Sequence, residues 1–185
     1  MRNFTFKGLL LTAVFMLLGC LSIQAANDDL ITKQITIKLD EAGTLPDKIS
    51  ESQKNLITNL KIVGKINGTD LKFIREMAGC NFYMGKTDGK LSILDLSEAK
   101  IVEGGSAYVS NSDSYWYTSN DKLGGYVFYG CSGLTSLTIP SSVTSIGYYA
   151  FWDCSGLNSI YVYPEKMPEL GTDIFNGCEI GRAHV

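Results

Sequence analysis

The sequence predicts a solenoid, because one segment recurs at a nearly fixed spacing. The segment first reads VFYGCSGLTSLTIP, from Val127 to Pro140, and returns as AFWDCSGLNSIYV, from Ala150 to Val162. A third copy starts as IFNGC and breaks off at Cys178. The phenylalanines and the cysteines of these copies are each spaced by 23 and then 24 residues. Such a period predicts a repeat solenoid of the leucine-rich type, an α/β fold of short parallel strands with irregular or short helical returns.

Each repeat contains a stretch in which apolar and polar residues alternate, as they do in a half-buried strand. Leu137 and its equivalents are expected to face the core, and Phe128 and Phe151 are expected to stack inside it. The outward positions lie on the open face of the sheet, which solenoids commonly use for binding. Four of them are candidate partner contacts: Ser136, Thr138, Ser159 and Tyr161.

Residues 26–56 are predicted to form an N-terminal cap of one strand and one helix. Isoleucine and leucine alternate with threonine and lysine over residues 35–39, which indicates a strand. Pro46 suits the first turn of a short helix over residues 45–56. A solenoid needs such an atypical first unit, because an open end would expose a slice of its core to water.

Residues 57–105 are predicted to be longer, degenerate repeats of the same architecture. Leu91, Leu94 and Leu96 reproduce the spacing of the apolar strand residues in the well-preserved repeats of residues 126–179. Between the two predicted strands of this region, residues 71–78 carry apolar side chains on one helical face and predict a helix.

Residues 106–125 interrupt the period with a segment rich in Ser, Asn, Gly and Tyr. Insertions between repeats map to loops on one face of a solenoid. Rigid aromatic side chains among small polar residues are typical of binding loops. The alternative is a loop whose aromatic side chains fold back onto the solenoid. The candidate partner contacts in this segment are Tyr108, Tyr115, Trp116 and Tyr117.

Residues 1–25 predict an export signal. Two basic residues accompany an apolar segment from Gly8 to Ile23, and Ala25 offers a small-residue cleavage site. The run Leu-Leu-Gly-Cys that ends at Cys20 also resembles a bacterial lipobox, in which Cys20 would be lipidated. A third alternative is an uncleaved anchor. All three place the mature protein outside the cytoplasm, either secreted or at the cell surface, where the lipidated form would be an outer-membrane lipoprotein.

The last six residues, 180–185, break the third repeat and match the translation of a common sequencing-library adapter. We interpret them as an artefact and expect the natural chain to continue beyond Glu179. His184 is the only histidine of the chain, and on this interpretation it is not native.

Composition and motifs argue against several function classes. The net charge is −3, from 16 basic and 19 acidic residues, and a nucleic-acid-binding surface would need a basic excess. Membrane contact is therefore expected only through a lipid anchor. The sequence has no P-loop, dinucleotide-binding fingerprint or nucleophile elbow. We expect no catalytic residue, no cofactor and no metal.

Three cysteines, Cys131, Cys154 and Cys178, follow the period of the repeat and not the spacing of a zinc motif. Stacked repeats would bring neighbouring cysteines within disulfide range. Three in a row cannot all pair, so a ladder of buried free cysteines and a single disulfide are both open alternatives. Cys80 follows a predicted helix and has no evident partner in the sequence.

The repeat, written Ala-Phe-x-x-Cys-Ser-x-Leu-x-Ser-Ile/Leu-x-Ile-Pro-x-Ser-Val-x-x-Ile-Gly, resembles the BspA-like leucine-rich repeat over residues 126–178. Residues 57–105 are more loosely similar to the degenerate first repeats of such proteins, as in the run from Leu94 to Ser97. In the commoner leucine-rich form Asn or Cys follows the strand, whereas here Cys precedes it. The second repeat is imperfect, because Pro164 falls one residue later than Pro140 does.

The resemblance implies a non-enzymatic bacterial surface or secreted protein that binds other proteins, host matrix proteins among them. Two alternatives differ in what the repeats are for. In the first, the solenoid is a spacer that holds a missing C-terminal domain away from the cell. In the second, the chain is a fragment of an enzyme.

Overall fold

The computed structural model of the chain describes residues 29–163 and 166–179, together with the backbone of residues 182–184. The predicted export signal and Cys20 lie outside the described residues. Within the described residues, no helix is both long enough and apolar enough to cross a membrane.

The described chain is rich in strands and has only short helices. The strands are β1 (Ile35–Leu39), β2 (Asn59–Ile66), β3 (Ile93–Ile101), β4 (Gly104–Ser110), β5 (Tyr115–Thr118), β6 (Lys122–Leu123), β7 (Ser136–Ile139), β8 (Ser145–Ile146), β9 (Ser159–Val162), β10 (Glu169–Leu170) and β11 (Arg182–His184). The helices are α1 (Leu45–Lys48), α2 (Glu51–Lys54) and α3 (Gly68–Met77).

Two parallel sheets run along the molecule. The larger has six strands in the order β1-β2-β3-β7-β9-β11, and the smaller has the order β10-β8-β6. All neighbouring strands in both sheets are parallel. From β6 onward, the chain alternates between a strand of the smaller sheet and a strand of the larger one. This is the parallel, strand-rich arrangement expected of a repeat fold, because each repeat passes through both sheets in the same direction.

The core holds the apolar side chains that the alternation pattern assigns to it. Leu94, Leu137 and Ile160 lie in register on adjacent strands and are at most 3% exposed. Leu91 and Leu96 are also fully buried. The predicted inward positions are therefore confirmed in strands β3, β7 and β9.

The predicted aromatic stack is confirmed. The rings of Phe128 and Phe151 are parallel within 6°, with centroids 5.8 Å apart, and both side chains are fully buried. Phe175 continues the stack, with its ring centroid 5.5 Å from that of Phe151. Its side chain is 39% exposed, so the third ring is covered on one side only.

The N-terminal segment forms the predicted strand but not one continuous helix. Two four-residue helices, α1 and α2, replace the helix predicted over residues 45–56. They are separated at Ile49, whose backbone is extended and whose side chain enters the core. The carboxylate of Asp70 accepts hydrogen bonds from the backbone N–H groups of Gly43 and Leu45, and so ties this segment to the start of α3.

Helix α3 begins at Gly68, earlier than predicted, because Asn67 caps it. The Asn67 side chain accepts from the backbone N–H of Thr69, and the Asp70 carboxylate accepts from the backbone N–H of Asn67. This capping box satisfies N–H groups that the first turn leaves unpaired. Gly79, at a φ of +99°, follows the helix in the left-handed conformation that glycine adopts without a steric penalty.

The segment at residues 106–125 differs from the loop that the sequence predicts. Its first part pairs with its second as the antiparallel hairpin β4–β5. The side chains of Ala107 and Val109 are buried, and the backbone N–H of Ser110 donates to the Phe82 carbonyl at 2.9 Å. The hairpin is therefore anchored to the body of the molecule by its first strand.

Candidate functional site

The structure separates the four aromatic residues that the sequence groups together in the insertion. Tyr108 is 1% exposed, and its hydroxyl donates to the Gly125 carbonyl at 2.8 Å. Burial raises the pKa of Tyr108, so its hydroxyl stays neutral. Tyr108 is thus a core residue, and its assignment as a direct partner contact is corrected.

The other three aromatic residues occupy strand β5, where side chains alternate between two faces. Tyr115 and Tyr117 point to solvent and are 60% and 59% exposed. Trp116 points the other way and is half-buried, with its ring centroid 4.6 Å from that of Tyr126. The predicted trio is therefore two exposed tyrosines and one tryptophan that joins a larger group.

That group is a continuous cluster of aromatic rings, which we call the aromatic surface. Ring centroids of neighbouring members lie 4.6–5.5 Å apart. Every member keeps part of its side chain in solvent, and Tyr148, at 43%, is exposed. The members are Trp116, Tyr126, Tyr129, Tyr148, Tyr149 and Trp152.

Apart from Trp116 in β5, the aromatic surface is built by the turns that precede β7 and β9. Tyr126 and Tyr149 are equivalent positions 23 residues apart, and so are Tyr129 and Trp152. The turns stack directly, because the backbone N–H of Tyr126 donates to the Tyr148 carbonyl at 3.1 Å. This recurrence is visible in the sequence, in the same segment as the recurring phenylalanines and cysteines of the core.

Two tyrosines of this surface occupy a backbone conformation that their residue type disfavours. Tyr126 has a φ of 58° and Tyr149 a φ of 55°. For a residue other than Gly, Asn or Asp, the left-handed region costs about 1–2 kcal/mol. In the third repeat the equivalent residue is Asp173, with a φ of 52°. The fold therefore accepts a residue better suited to this turn, yet two repeats carry tyrosine there.

The aromatic surface offers ring faces and neutral hydroxyl groups. Burial, together with the neighbouring Tyr148 and Tyr149, raises the pKa of Tyr126. Burial and the nearby Asp153 carboxylate raise the pKa of Tyr129. The indole N–H of Trp116 donates to the Tyr148 hydroxyl at 3.2 Å, which leaves that hydroxyl a proton to donate outward.

The four predicted contacts on the open face of the larger sheet do lie together. Ser136 pairs in register with Ser159, and Thr138 with Tyr161, so the four form a block on adjacent strands. All four are partly exposed. The sequence interpretation missed Ile93, which is in register with Ser136 and is 40% exposed.

Charged residues flank this block toward the N-terminus. Asp95 is in register with Thr138, and Lys61 with Asp95. The Lys61 ammonium lies 2.6 Å from the Glu98 carboxylate and 3.5 Å from that of Asp95. Its hydrogen bond to Glu98 raises the pKa of Lys61. One ammonium lies between two carboxylates, so these three groups carry a net charge of −1.

The cysteines of the described repeats are free thiols. The thiols of Cys154 and Cys178 donate to the carbonyls of Phe128 and Phe151, at 2.9 and 2.8 Å. Each cysteine therefore ties its repeat to the preceding one. Within the described residues, no group of three or more His, Cys, Asp or Glu side chains is arranged to hold a metal ion.

Comparison with protein families agrees with this repeat geometry. Residues 116–184 match the family model of the BspA type leucine rich repeat region (6 copies). The resemblance drawn from residues 126–178 is thereby confirmed, and the match extends back to Trp116 in β5. A comparison with curated proteins found no match.

The family carries general expectations about function. Leucine-rich repeat domains generally mediate protein–protein interactions and are generally not enzymes. Regions of the BspA type typically occur in bacterial proteins that are secreted or lie on the cell surface. These expectations favour a role in protein interaction over a role in catalysis.

Proposed function

We propose that the protein is an exported, surface-associated solenoid without catalytic activity, and that it binds another protein through its aromatic surface. The partner that we propose is an extracellular protein, of which a host matrix protein is one case. The repeat family and the parallel sheets support this function. The interpretation of residues 26–56 as a cap, of residues 1–25 as an export signal and of residues 180–185 as an artefact belongs to the same proposal.

The observation that carries the proposal is the left-handed backbone of Tyr126 and Tyr149. Residues held in sparsely populated backbone regions cluster at binding and active sites, where function offsets the cost. Asp173 occupies the same place in the third repeat, so the turn itself does not require an aromatic residue. The tyrosines are better explained by what they offer to solvent than by what they contribute to the turn.

The composition of the aromatic surface fits a protein partner. Tyrosine and tryptophan dominate the energetic centres of protein interfaces, because they bury a large area and lose little rotamer entropy. Their mutual packing holds the rings of Tyr126, Tyr148 and Tyr149 in place before a partner arrives. Such preorganisation reduces the entropy lost on binding. Tyr115 and Tyr117, exposed on β5, extend the available area.

The proposal is tested with the double variant Tyr126→Asn/Tyr149→Asn, which leaves the net charge unchanged and suits a left-handed backbone. Binding of the purified chain to immobilised extracellular matrix proteins, such as collagen and laminin, is measured by biolayer interferometry. We expect the double variant to bind at least about tenfold more weakly than the natural chain, because a few central aromatic residues contribute most of the binding energy of an interface. The matched control is Tyr163→Ser, which removes a 63% exposed tyrosine outside the aromatic surface.

A second variant, Thr138→Arg, places a long charged side chain on the open face of the larger sheet. Normal binding by Thr138→Arg, together with weak binding by the double variant, would place the binding site on the aromatic surface. Loss of binding in Thr138→Arg with normal binding in the double variant would move the site to the sheet face. A natural chain that binds none of the matrix proteins would contradict the proposed partner class and would favour the spacer alternative.

A further inference from the structure

Arg75 in helix α3 is a charged side chain enclosed by the protein. Its side chain is fully buried. Nη1 donates to the carbonyls of Tyr126 and Val127 at 2.9 and 3.0 Å. Nη2 lies 3.4 Å from both the Asn81 carbonyl and the Cys80 sulfur. None of these four acceptors is a carboxylate, so none of them balances the buried positive charge as a counter-ion normally does.

Of the four acceptors, only the Cys80 thiol can acquire a negative charge. The positive charge of the buried guanidinium stabilises the Cys80 thiolate relative to the thiol. A hydrogen bond from Cys131 and the charge of Arg75 together lower the pKa of Cys80 to about 7, against the opposing effect of burial. Burial and the hydrogen bond to Cys80 raise the pKa of Cys131. The two neighbouring thiols are thus unequal, with Cys80 the better nucleophile near neutral pH.

The fold brings these two cysteines together from segments 51 residues apart. Cys80 follows α3, and Cys131 follows the turn that contains Phe128. A methyl group added to Gly130 would lie 3.1 Å from the Cys80 sulfur, which shows how closely the turn approaches. The sequence offers no evident partner for Cys80, whereas the structure places it beside Cys131.

A cleft of about 340 Å³ lies beside the pair. Gly79 and Ser132, the immediate neighbours of Cys80 and Cys131, are both part of its wall. Lys86 and Lys90 also line it, and both are exposed. The cleft therefore combines an approach to the two thiols with positive charge. Cys80 and Cys131 are themselves at most 1% exposed, so a reagent reaches them only when the protein opens locally at the cleft.

We infer that Cys80 and Cys131 form a redox-active dithiol that exchanges with small anionic disulfides, such as oxidised glutathione, through this cleft. The Cys80 thiolate attacks one sulfur of the small disulfide, and the first small thiolate leaves and takes up a proton. Cys131 then loses its proton and attacks the Cys80 sulfur, and the second small thiol leaves. Two protein thiols are oxidised to one disulfide, and one small disulfide is reduced to two thiols. This activity is independent of the proposed partner binding.

The linkage itself is tested by peptide mapping. The chain is purified after export, reduced, and equilibrated in glutathione buffers of graded potential. After free thiols are alkylated, digestion with trypsin and chymotrypsin separates the peptides of Cys80, Cys131 and Cys154. We expect a Cys80–Cys131 linked peptide that disappears as the buffer becomes more reducing. The matched control Cys154→Ser should retain this peptide, and Cys80→Ser should abolish it.

The route of entry is tested with the double variant Lys86→Ala/Lys90→Ala, which changes only exposed side chains. At low ionic strength we expect its oxidation by oxidised glutathione to be slower by roughly 3- to 10-fold, because electrostatic steering is lost. Oxidation by the uncharged reagent hydroxyethyl disulfide should be unchanged. Equal slowing with both reagents would overturn the role of the lysines.

The identity of the attacking thiol is tested by the pH dependence of oxidation. The rate should rise through a midpoint near 7, the pKa of Cys80, and not near 9, the ordinary value for a cysteine. A midpoint near 9 would overturn Cys80 as the attacking thiol. Two free thiols at every glutathione potential, or a linked peptide that forms only in urea, would overturn the dithiol altogether.

Discussion

Two columns of aromatic side chains arise from the same turns of the repeat region, and they differ in both burial and persistence. The inner column has phenylalanine in each of the three well-preserved repeats, with parallel rings, at Phe128, Phe151 and Phe175. The outer column begins with Tyr126 and Tyr149 and has a polar residue in the third repeat. Packing in the core therefore requires phenylalanine in the inner column, whereas the residue type of the outer column varies without a change in the turn.

The difference shows what the period of the sequence encodes. A side chain between two stacked turns must match the spacing of the turns, so its identity recurs. A side chain on the outside of the same turn is limited only by its backbone conformation. Where that conformation disfavours tyrosine and tyrosine is nevertheless present, folding alone does not explain the residue.

The largest expected effect is at the centre of the inner column. Phe151 is fully buried between the rings of Phe128 and Phe175, so Phe151→Ala should lower the free energy of unfolding by about 3–5 kcal/mol. Urea denaturation followed by circular dichroism measures this loss. Phe175→Ala is the matched control and should cost clearly less, because its ring is 39% exposed. A loss below about 1 kcal/mol for Phe151→Ala would contradict the assignment of the inner column to the core.

A smaller loss of stability is expected at Gly147, where the backbones of adjacent turns lie in direct contact. A Cβ at Gly147 would collide with the backbone of Gly124 and Gly125, so Gly147→Ala must push two turns apart. Overpacking of this kind costs about 1–3 kcal/mol. Thermal denaturation should show a lower Tm for Gly147→Ala than for the exposed control Ser142→Ala. Equal Tm values would show that the turns are not held at this spacing.

A smaller effect again is expected from the cysteine ladder. Cys154→Ala removes the thiol that donates to the Phe128 carbonyl, a loss of about 1 kcal/mol. The carbonyl keeps a second donor, the backbone N–H of Cys131 at 3.0 Å, so it is not left unpaired. Urea denaturation of Cys154→Ala and Phe151→Ala under reducing conditions gives the comparison. Equal losses would make the ladder as important to the fold as the phenylalanines.

The sequence predicted the features that depend on local periodicity. Alternation and the 23-residue recurrence located the inward residues of β3, β7 and β9 and the stacking of Phe128 on Phe151. These are properties of short segments that every repeat reproduces. The 23-residue recurrence also places Tyr126 and Tyr149 at equivalent positions, so the outer column could have been predicted from the sequence.

The remaining features depend on contacts between distant segments. The burial of Tyr108 requires the Gly125 carbonyl beside it, and the pairing of Cys80 with Cys131 requires α3 to pack against a turn 51 residues later. No periodic pattern reports such contacts. The left-handed backbone of Tyr126 was equally invisible, because tyrosine does not mark that conformation as glycine or asparagine does.

The most direct test of the difference between the two columns is the unfolding free energy of Tyr126→Asn/Tyr149→Asn. The double variant loses six ring pairs, about 3 kcal/mol in total at the lower end of the usual 0.5–1.5 kcal/mol per pair, which suits partly exposed rings. Asparagine relieves about 1–2 kcal/mol of backbone cost at each of the two positions, so the loss and the relief nearly cancel. We predict that urea denaturation will give a value within about 1.5 kcal/mol of that of the natural chain. A loss of about 3 kcal/mol or more, comparable to that expected for Phe151→Ala, would show that the outer column holds the fold together and would contradict its assignment as a binding surface.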